Sequence, residues 1–194
     1  MRRAATCACV LPLWVGVAGC RERQGTPQRR FESVPTPSAA RGPASDLFKR
    51  DTLTQALSAI RRRVGEAASV LVLELTRERA TIQVEAPSQR GSVVQYEWDG
   101  ALKGPIPVEL RGSGALDSNL FPLSAVDLRE LPTLARAAVE RIDREHGQVE
   151  RIVVRRNLPI EEAIGIRVYV KSPIRSSHLD ADARGRITDT PKIP

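Results

Sequence analysis

An α+β fold follows from two features of this 194-residue chain. Two amphipathic helical stretches are each followed by short segments of alternating polarity. No cysteine occurs after Cys20, so the folded part is not a small disulfide-stapled framework. The expected architecture is two tandem αβββ units, residues 46–108 and 125–190, whose antiparallel meander sheets pack on the helices. Residues 109–124 are the expected connector, and the length suits one ordinary domain or two small ones.

The chain begins differently from the way it continues. Arg2 and Arg3 precede "CACVLPLWVGVAG", an apolar run of 13 residues ending at Cys20. A helix needs about 20 apolar residues to span a hydrocarbon core, so this run is too short. A positive start, a short apolar middle and small residues before a cleavage point describe a secretory signal peptide. "VAGC", Val17 to Cys20, resembles the bacterial lipobox. That resemblance implies cleavage before Cys20, diacylation of its thiol with palmitate-like chains, and acylation of the new amine. Two or three acyl chains hold a protein firmly to a membrane, where one binds it marginally. The residues usual after twin arginines are absent, which favours export by Sec. Arg21 rather than aspartate follows the cysteine, and by resemblance to sorting rules this favours the periplasmic face of the outer membrane.

Residues 21–45 are dominated by Pro, Ser, Gly, Arg and Gln with no apolar period, the composition of a disordered tether. As a flexible coil its ends lie roughly 25 to 30 Å apart. Its arginines also bear on the net charge of +7. Arg2 and Arg3 lie before the apolar run, and the tether carries five arginines against two glutamates. From Asp46 onward 23 basic residues face 21 acidic ones. The basic excess thus belongs to the front of the chain. With aromatic residues also scarce, no nucleic-acid partner is expected.

The first helix takes its core face from Leu53, Ala56, Leu57, Ile60 and Val64, with Asp51 or Thr52 as its expected N-cap and Gly65 as its stop. Arg61, Arg62 and Arg63 fall near its C-terminus, where the helix dipole favours cations. "SVLVLEL" reads as a buried strand. "ATIQVEA" and "SVVQYEW" alternate, pointing Ile82, Val84, Tyr96 and Trp98 to one side before the Asp99-Gly100 turn signal. The pattern then recurs. "ELPTLARAAVERID" places Leu131, Leu134, Ala135, Ala138 and Ile142 on one helical face. "VERIVVR" and "IGIRVYV" follow as strands, and "SSHLDADARGRI" as one last polar strand. Leu53 and Leu131 are 78 residues apart, Ile82 and Ile166 84, Gly100 and Gly185 85. The longer loop at 157–162 absorbs the drift. A unit near 60 residues buries only about 60% of its unfolded surface, so the two units should pack together or share one sheet.

Helix, three-stranded meander and a closing "DADARGRI" in an exported bacterial protein resemble PepSY and PepSY-like domains, and the architecture is similar to beta-lactamase inhibitory protein. The resemblance covers residues 47–104 and 126–190 and is strongest in the final strand. The first copy departs from it at Trp98-Asp99-Gly100. It implies a non-enzymatic periplasmic module, sometimes a protease inhibitor or signalling domain. No binding residues carry over.

The chemistry-bearing residues point the same way. His146 stands beside Gly147 at a helix end, where a cation is favoured. In "SSHLDAD", a strand turns Ser177 and His178 to opposite faces, so adjacency does not make a triad. No Gly-x-Ser-x-Gly elbow, phosphate loop or zinc spacing occurs. "DADARGRITDTP" imitates a calcium loop at Asp180, Asp182 and Gly185. However, Arg184 occupies a ligand position and Pro191 replaces the bidentate glutamate. No metal and no cofactor are therefore expected, and no enzymatic activity. The candidate residues are Cys20 for lipidation, with Tyr96 and Trp98 for binding should they be exposed; core packing is the competing reading of that pair. The expected function is a membrane-anchored cell-envelope lipoprotein presenting a non-catalytic module to an unknown envelope protein. A structural role in a larger envelope complex is the alternative, and an unrecognised hydrolase the third possibility.

Overall fold

The computed structural model describes residues 46–111, 114–157 and 161–189. The signal peptide, Cys20 and the tether lie outside the described residues. Chain order is α1 (Arg50–Val64), β1 (Ser69–Thr76), β2 (Ala80–Glu85), β3 (Val93–Trp98) and β4 (Leu102–Val108), then α2 (Leu116–Asn119) and β5 (Phe121–Pro122). Two 3-10 turns, Leu123–Ala125 and Leu128–Glu130, lead into α3 (Leu131–Ile142). It is followed by β6 (Gln148–Asn157), β7 (Glu161–Lys171), β8 (Ser176–Asp182) and β9 (Ile187–Asp189).

All nine strands of the described residues belong to one antiparallel sheet rather than to separate ones. Its order is β4-β3-β2-β1-β6-β7-β8-β9, with β5 paired to the start of β1. The order is symmetric about the β1–β6 pair, a helix leading each four-stranded meander. β5 continues the edge of β1 that β6 leaves free: β6 pairs with Val72 to Thr76, β5 with Ser69 and Val70. The connector thus contributes to the sheet, and Phe121 is buried by it.

Register shows which face is covered. Residues directly opposite in an antiparallel pair share a face. One row runs Tyr96, Ile82, Leu73, Val154, Ile166, Ala181, and the next runs Trp98, Ala80, Leu75, Ile152, Val168, Leu179. Every member of both rows is buried. Against them lie Leu53, Ala56, Leu57 and Ile60 of α1, and Leu131, Leu134, Ala135, Ala138 and Ile142 of α3. α1 packs on β2 and β3, and α3 on β6, β7 and β8. Both helices therefore cover the same side of the sheet.

Local expectations fail in three places. α1 starts at Arg50 with Lys49 as its N-cap and no capping side chain, so Asp51 falls in the first turn. Asp46 instead accepts a hydrogen bond from the Phe48 N–H at 3.1 Å, fixing the approach to the helix. No strand is expected from the sequence at β4, which carries Gly104, Pro105 and Pro107. β4 lies at the sheet edge, where a missing N–H costs no ladder bond. The last polar strand is in fact two, β8 and β9, split by a turn at Asp182 to Arg186. Asp182 accepts from the backbone N–H groups of Arg184 and Arg186, both at 2.9 Å, and this stops β8.

Candidate functional site

Tyr96 and Trp98 do not offer a binding surface. Both point to the helix-covered side and keep only 6% and 4% of their exposure. The reason is register: Tyr96 stands opposite Ile82 and Trp98 opposite Ala80, within the two buried rows. What reaches Tyr96 from outside is Arg63 of α1, its guanidinium carbon 5.4 Å from the ring centroid. These aromatics build the core.

The histidines and carboxylates are engaged locally. His146 lies in the turn after α3, where its N–H donates to Asp143 Oδ1 at 3.0 Å. That bond, the largest cause, helps hold the Asp143 carboxyl below its ordinary range. On β8, Ser177 shares a side with buried Leu179 and Ala181, while His178 lies on the other, next to Asp180 at 3.6 Å. Among the described residues no group of three His, Cys, Asp or Glu side chains could hold a metal ion.

The polar side chains that do gather lie on the face of the sheet away from the helices. One row is Glu97, Thr81, Glu74, Val153, Arg167, Asp180, and beside it runs Gln95, Gln83, Val72, Arg155, Gly165, Asp182. A third includes Thr76, Arg151, Tyr169 and His178. All are exposed or half-buried.

This face is cross-braced. Gln83 Nε2 donates to Gln95 Oε1 at 2.9 Å, and Gln95 Nε2 to Glu97 Oε1 at 2.7 Å. Arg167 donates to both Asp180 oxygens, Nε at 2.7 Å and a terminal nitrogen at 2.9 Å. The hydrogen bond to Asp180 is the largest of the causes that push the Arg167 guanidinium further into its charged form. Arg151 sits over the Tyr169 ring, 4.3 Å from the centroid, and 3.8 Å from Glu74. Tyr169 and His178 are tilted neighbours with centroids 6.0 Å apart. Both meanders carry mixed charge on this face: Glu74, Glu85, Glu97 and Lys103 on the first, Arg151, Arg155, Arg167, Lys171, Asp180 and Asp182 on the second.

Of these residues only His178, Asp180 and Asp182 stood out in the sequence, within a triad-like and a calcium-loop-like run that were both set aside. The only signal is that "IGIRVYV" and "SSHLDAD" alternate, so their polar members must share a side. Which polar residues of other strands stand beside them depends on the β1–β6 pairing, which local pattern does not contain. On the helical side a shallow groove between α1 and the start of α3 is lined in part by Arg50, Leu57, Arg61, Arg129, Glu130 and Thr133. Arg129 is already held there by Asp127, at 3.0 Å through two nitrogens.

Among the described residues no helix is long and apolar enough to cross a membrane. No family model matches the chain, and no curated protein sequence matches it. Among solved structures it is similar to a candidate lipoprotein of Clostridium difficile 630, with a TM-score of 0.44 and 13% identity, over 75% of this chain and 97% of that one.

Proposed function

We propose that this chain is a non-catalytic binding module of the bacterial cell envelope, held to the membrane by lipid on Cys20 and presenting its uncovered sheet face to a partner protein. The anchor rests on the lipobox-like Val17–Cys20 and the apolar run before it. The binding role rests on one observation: six adjacent strands expose a face whose Arg, Tyr, Gln and carboxylate side chains are already fixed by one another. Side chains ordered before binding lose little entropy on association. Arg and Tyr are also the residue types that dominate binding energetics at interfaces. The helix–meander order that resembles PepSY-like modules agrees with a role without chemistry.

On the same reading the two halves are duplicated units. The buried positions of α1 and α3 superpose at a constant spacing, Leu53, Ala56, Leu57 and Ile60 over Leu131, Leu134, Ala135 and Ala138. Gly100 and Gly185 both take positive φ in the turns after β3 and β8.

A photo-reactive amino acid placed at Gln83 on the open face, or at Arg136 on α3, tests the binding role in intact cells. The open-face position should yield one stoichiometric adduct and the helix position none. Adducts only from Arg136 overturn the assignment of the face, and adducts to many chains replace it with an assembly role. Radiolabelled palmitate should enter the full chain and fail to enter its Cys20→Ser form; label in both, or in neither, removes the anchor.

A further inference from the structure

The open face has a hole in it. Where β7 crosses, the outward position between Arg155 and Asp182 is Gly165. A depression of about 350 Å³ lies over it, with Val153, Arg155, Arg167, Tyr169, Asp180 and Asp182 among its walls. Nothing in the fold requires glycine there. A Cβ at this position would approach nothing closer than the Arg155 carbonyl oxygen at 3.9 Å, and Gly165 is not among the glycines with positive φ. Glycine in the middle of a strand weakens the strand, and often marks a place where another chain or a ligand comes close.

The charges lining the hole are two arginines and two aspartates, and they are not all paired with one another. Both Asp180 oxygens are taken by Arg167. Asp182 Oδ1 accepts the N–H groups of Arg184 and Arg186, and Oδ2 accepts Arg186 Nε at 2.7 Å. Each carboxylate is therefore neutralised by its own arginine. Arg155 is exposed, and its guanidinium has no hydrogen-bond or ion-pair partner among the described residues. Arg155 is thus the lining charge without a partner among the described residues, at the rim of a dent whose other walls include a valine side chain and a tyrosine ring.

We propose that the Gly165 depression receives an acidic side chain from the partner protein, its carboxylate paired with Arg155 and its methylene stem lying between Val153 and Tyr169. This rests on the open face being the binding surface. A guanidinium presents parallel donors that match a carboxylate at two points, and such pairs fix orientation as well as adding affinity. One unpaired arginine balances one carboxylate. A phosphate group, with close to two charges, would leave an excess facing Asp180 and Asp182.

Two variants of the full chain test this. Gly165→Val fills the hole with a residue suited to strands, and Arg155→Gln removes the charge while keeping a polar side chain. Both should retain the thermal unfolding midpoint of the parent to within a few degrees. The ¹⁵N-labelled protein is titrated with a capped alanine peptide carrying one central glutamate, with its glutamine counterpart, and with inorganic phosphate. The glutamate peptide should shift the Gly165 amide and the Arg155 Nε–H, and each variant should weaken that binding about tenfold or more. Equal response to the glutamine peptide, indifference to either variant, tighter binding of phosphate, or no shift at all overturns the proposal. A Gly165 shift that depends on protein concentration alone puts a second copy in the depression and overturns it as well. The cross-linking from Gln83 separates the two claims. An adduct unchanged by both variants removes the acidic side chain and leaves the binding face, whereas loss of any open-face adduct removes the face itself.

Discussion

Asp182 shows how much one side chain can organise here. Its carboxylate ends β8 by accepting two backbone N–H groups, and it clamps Arg186 at the far side of the turn. Partial burial pushes its pKa up, but the bonds from the Arg186 N–H, the Arg186 guanidinium and the Arg184 N–H outweigh this. The net effect holds the carboxyl below its ordinary value of 3.8. A carboxylate depressed in the folded state binds fewer protons than in the unfolded chain, so its stabilisation is complete above the ordinary value. It is lost as pH falls from about 4 through the lower folded value. Asp182→Asn keeps the shape but cannot titrate. The gap in urea midpoint between parent and variant should be widest above the ordinary carboxylate value and shrink steadily as pH falls below it; a gap independent of pH would show that the charge plays no part. At this scale the sequence was partly legible. The alternation around Tyr96 and Trp98 correctly puts them on one side of a strand, yet it does not say whether that side meets helix or solvent. Apolarity answers that in favour of the core. Arg155 and Gly165 were illegible because an outward arginine and a strand glycine are ordinary until register makes them neighbours.

Elements were most legible where the pattern is longest. The buried positions expected of α3 are the ones found, because five apolar residues at helical spacing leave little freedom for the helix's rotation. The turn between β8 and β9 was not foreseen, although its glycine is indispensable. Gly185 has φ of 78°, and a Cβ there would lie 2.7 Å from the Glu130 Cβ at the start of α3. The hairpin thus presses its backbone against the helix approach, and Asp127 N–H bonds the neighbouring Ala183 carbonyl at 2.9 Å. Gly185→Ala combines the strain of a left-handed conformation, about 1 to 2 kcal/mol, with a contact that backbone must move to relieve. Gly91 offers the comparison: its φ is 82°, and a Cβ there would meet nothing within 4 Å. Gly185→Ala should therefore lower the urea midpoint clearly more than Gly91→Ala with no change in m-value. Equal losses would leave only backbone strain and remove the packing role of the hairpin. The edge strand β4 also went unseen; its Pro105 and Pro107 would be excluded from a central strand but are compatible with an outer one.

At the scale of the whole molecule, the decisive contact joins the two halves of the described chain. β1 and β6 pair antiparallel over Val72 to Thr76 and Arg151 to Arg155, making one sheet of two meanders. The buried side chains form one cluster that takes in α1, α3 and both sides of that seam, with Leu73 directly opposite Val154 and Leu75 opposite Ile152. Neither half could close its core alone: removing the second would uncover an edge of β1 and the apolar row that continues across it. Folding should accordingly be cooperative across the seam, although the sequence reads as two tandem units. Leu134 is buried on α3, in the second half. Leu134→Ala should cost about 2 to 5 kcal/mol. In native-state hydrogen exchange that loss should appear equally at Leu73 in β1 and at Ile166 in β7, because the slowest amides open only with the entire unit. Protection lost at Ile166 while Leu73 keeps its full value would mean that the halves unfold independently. The sheet would then be a contact between two domains rather than the core of one.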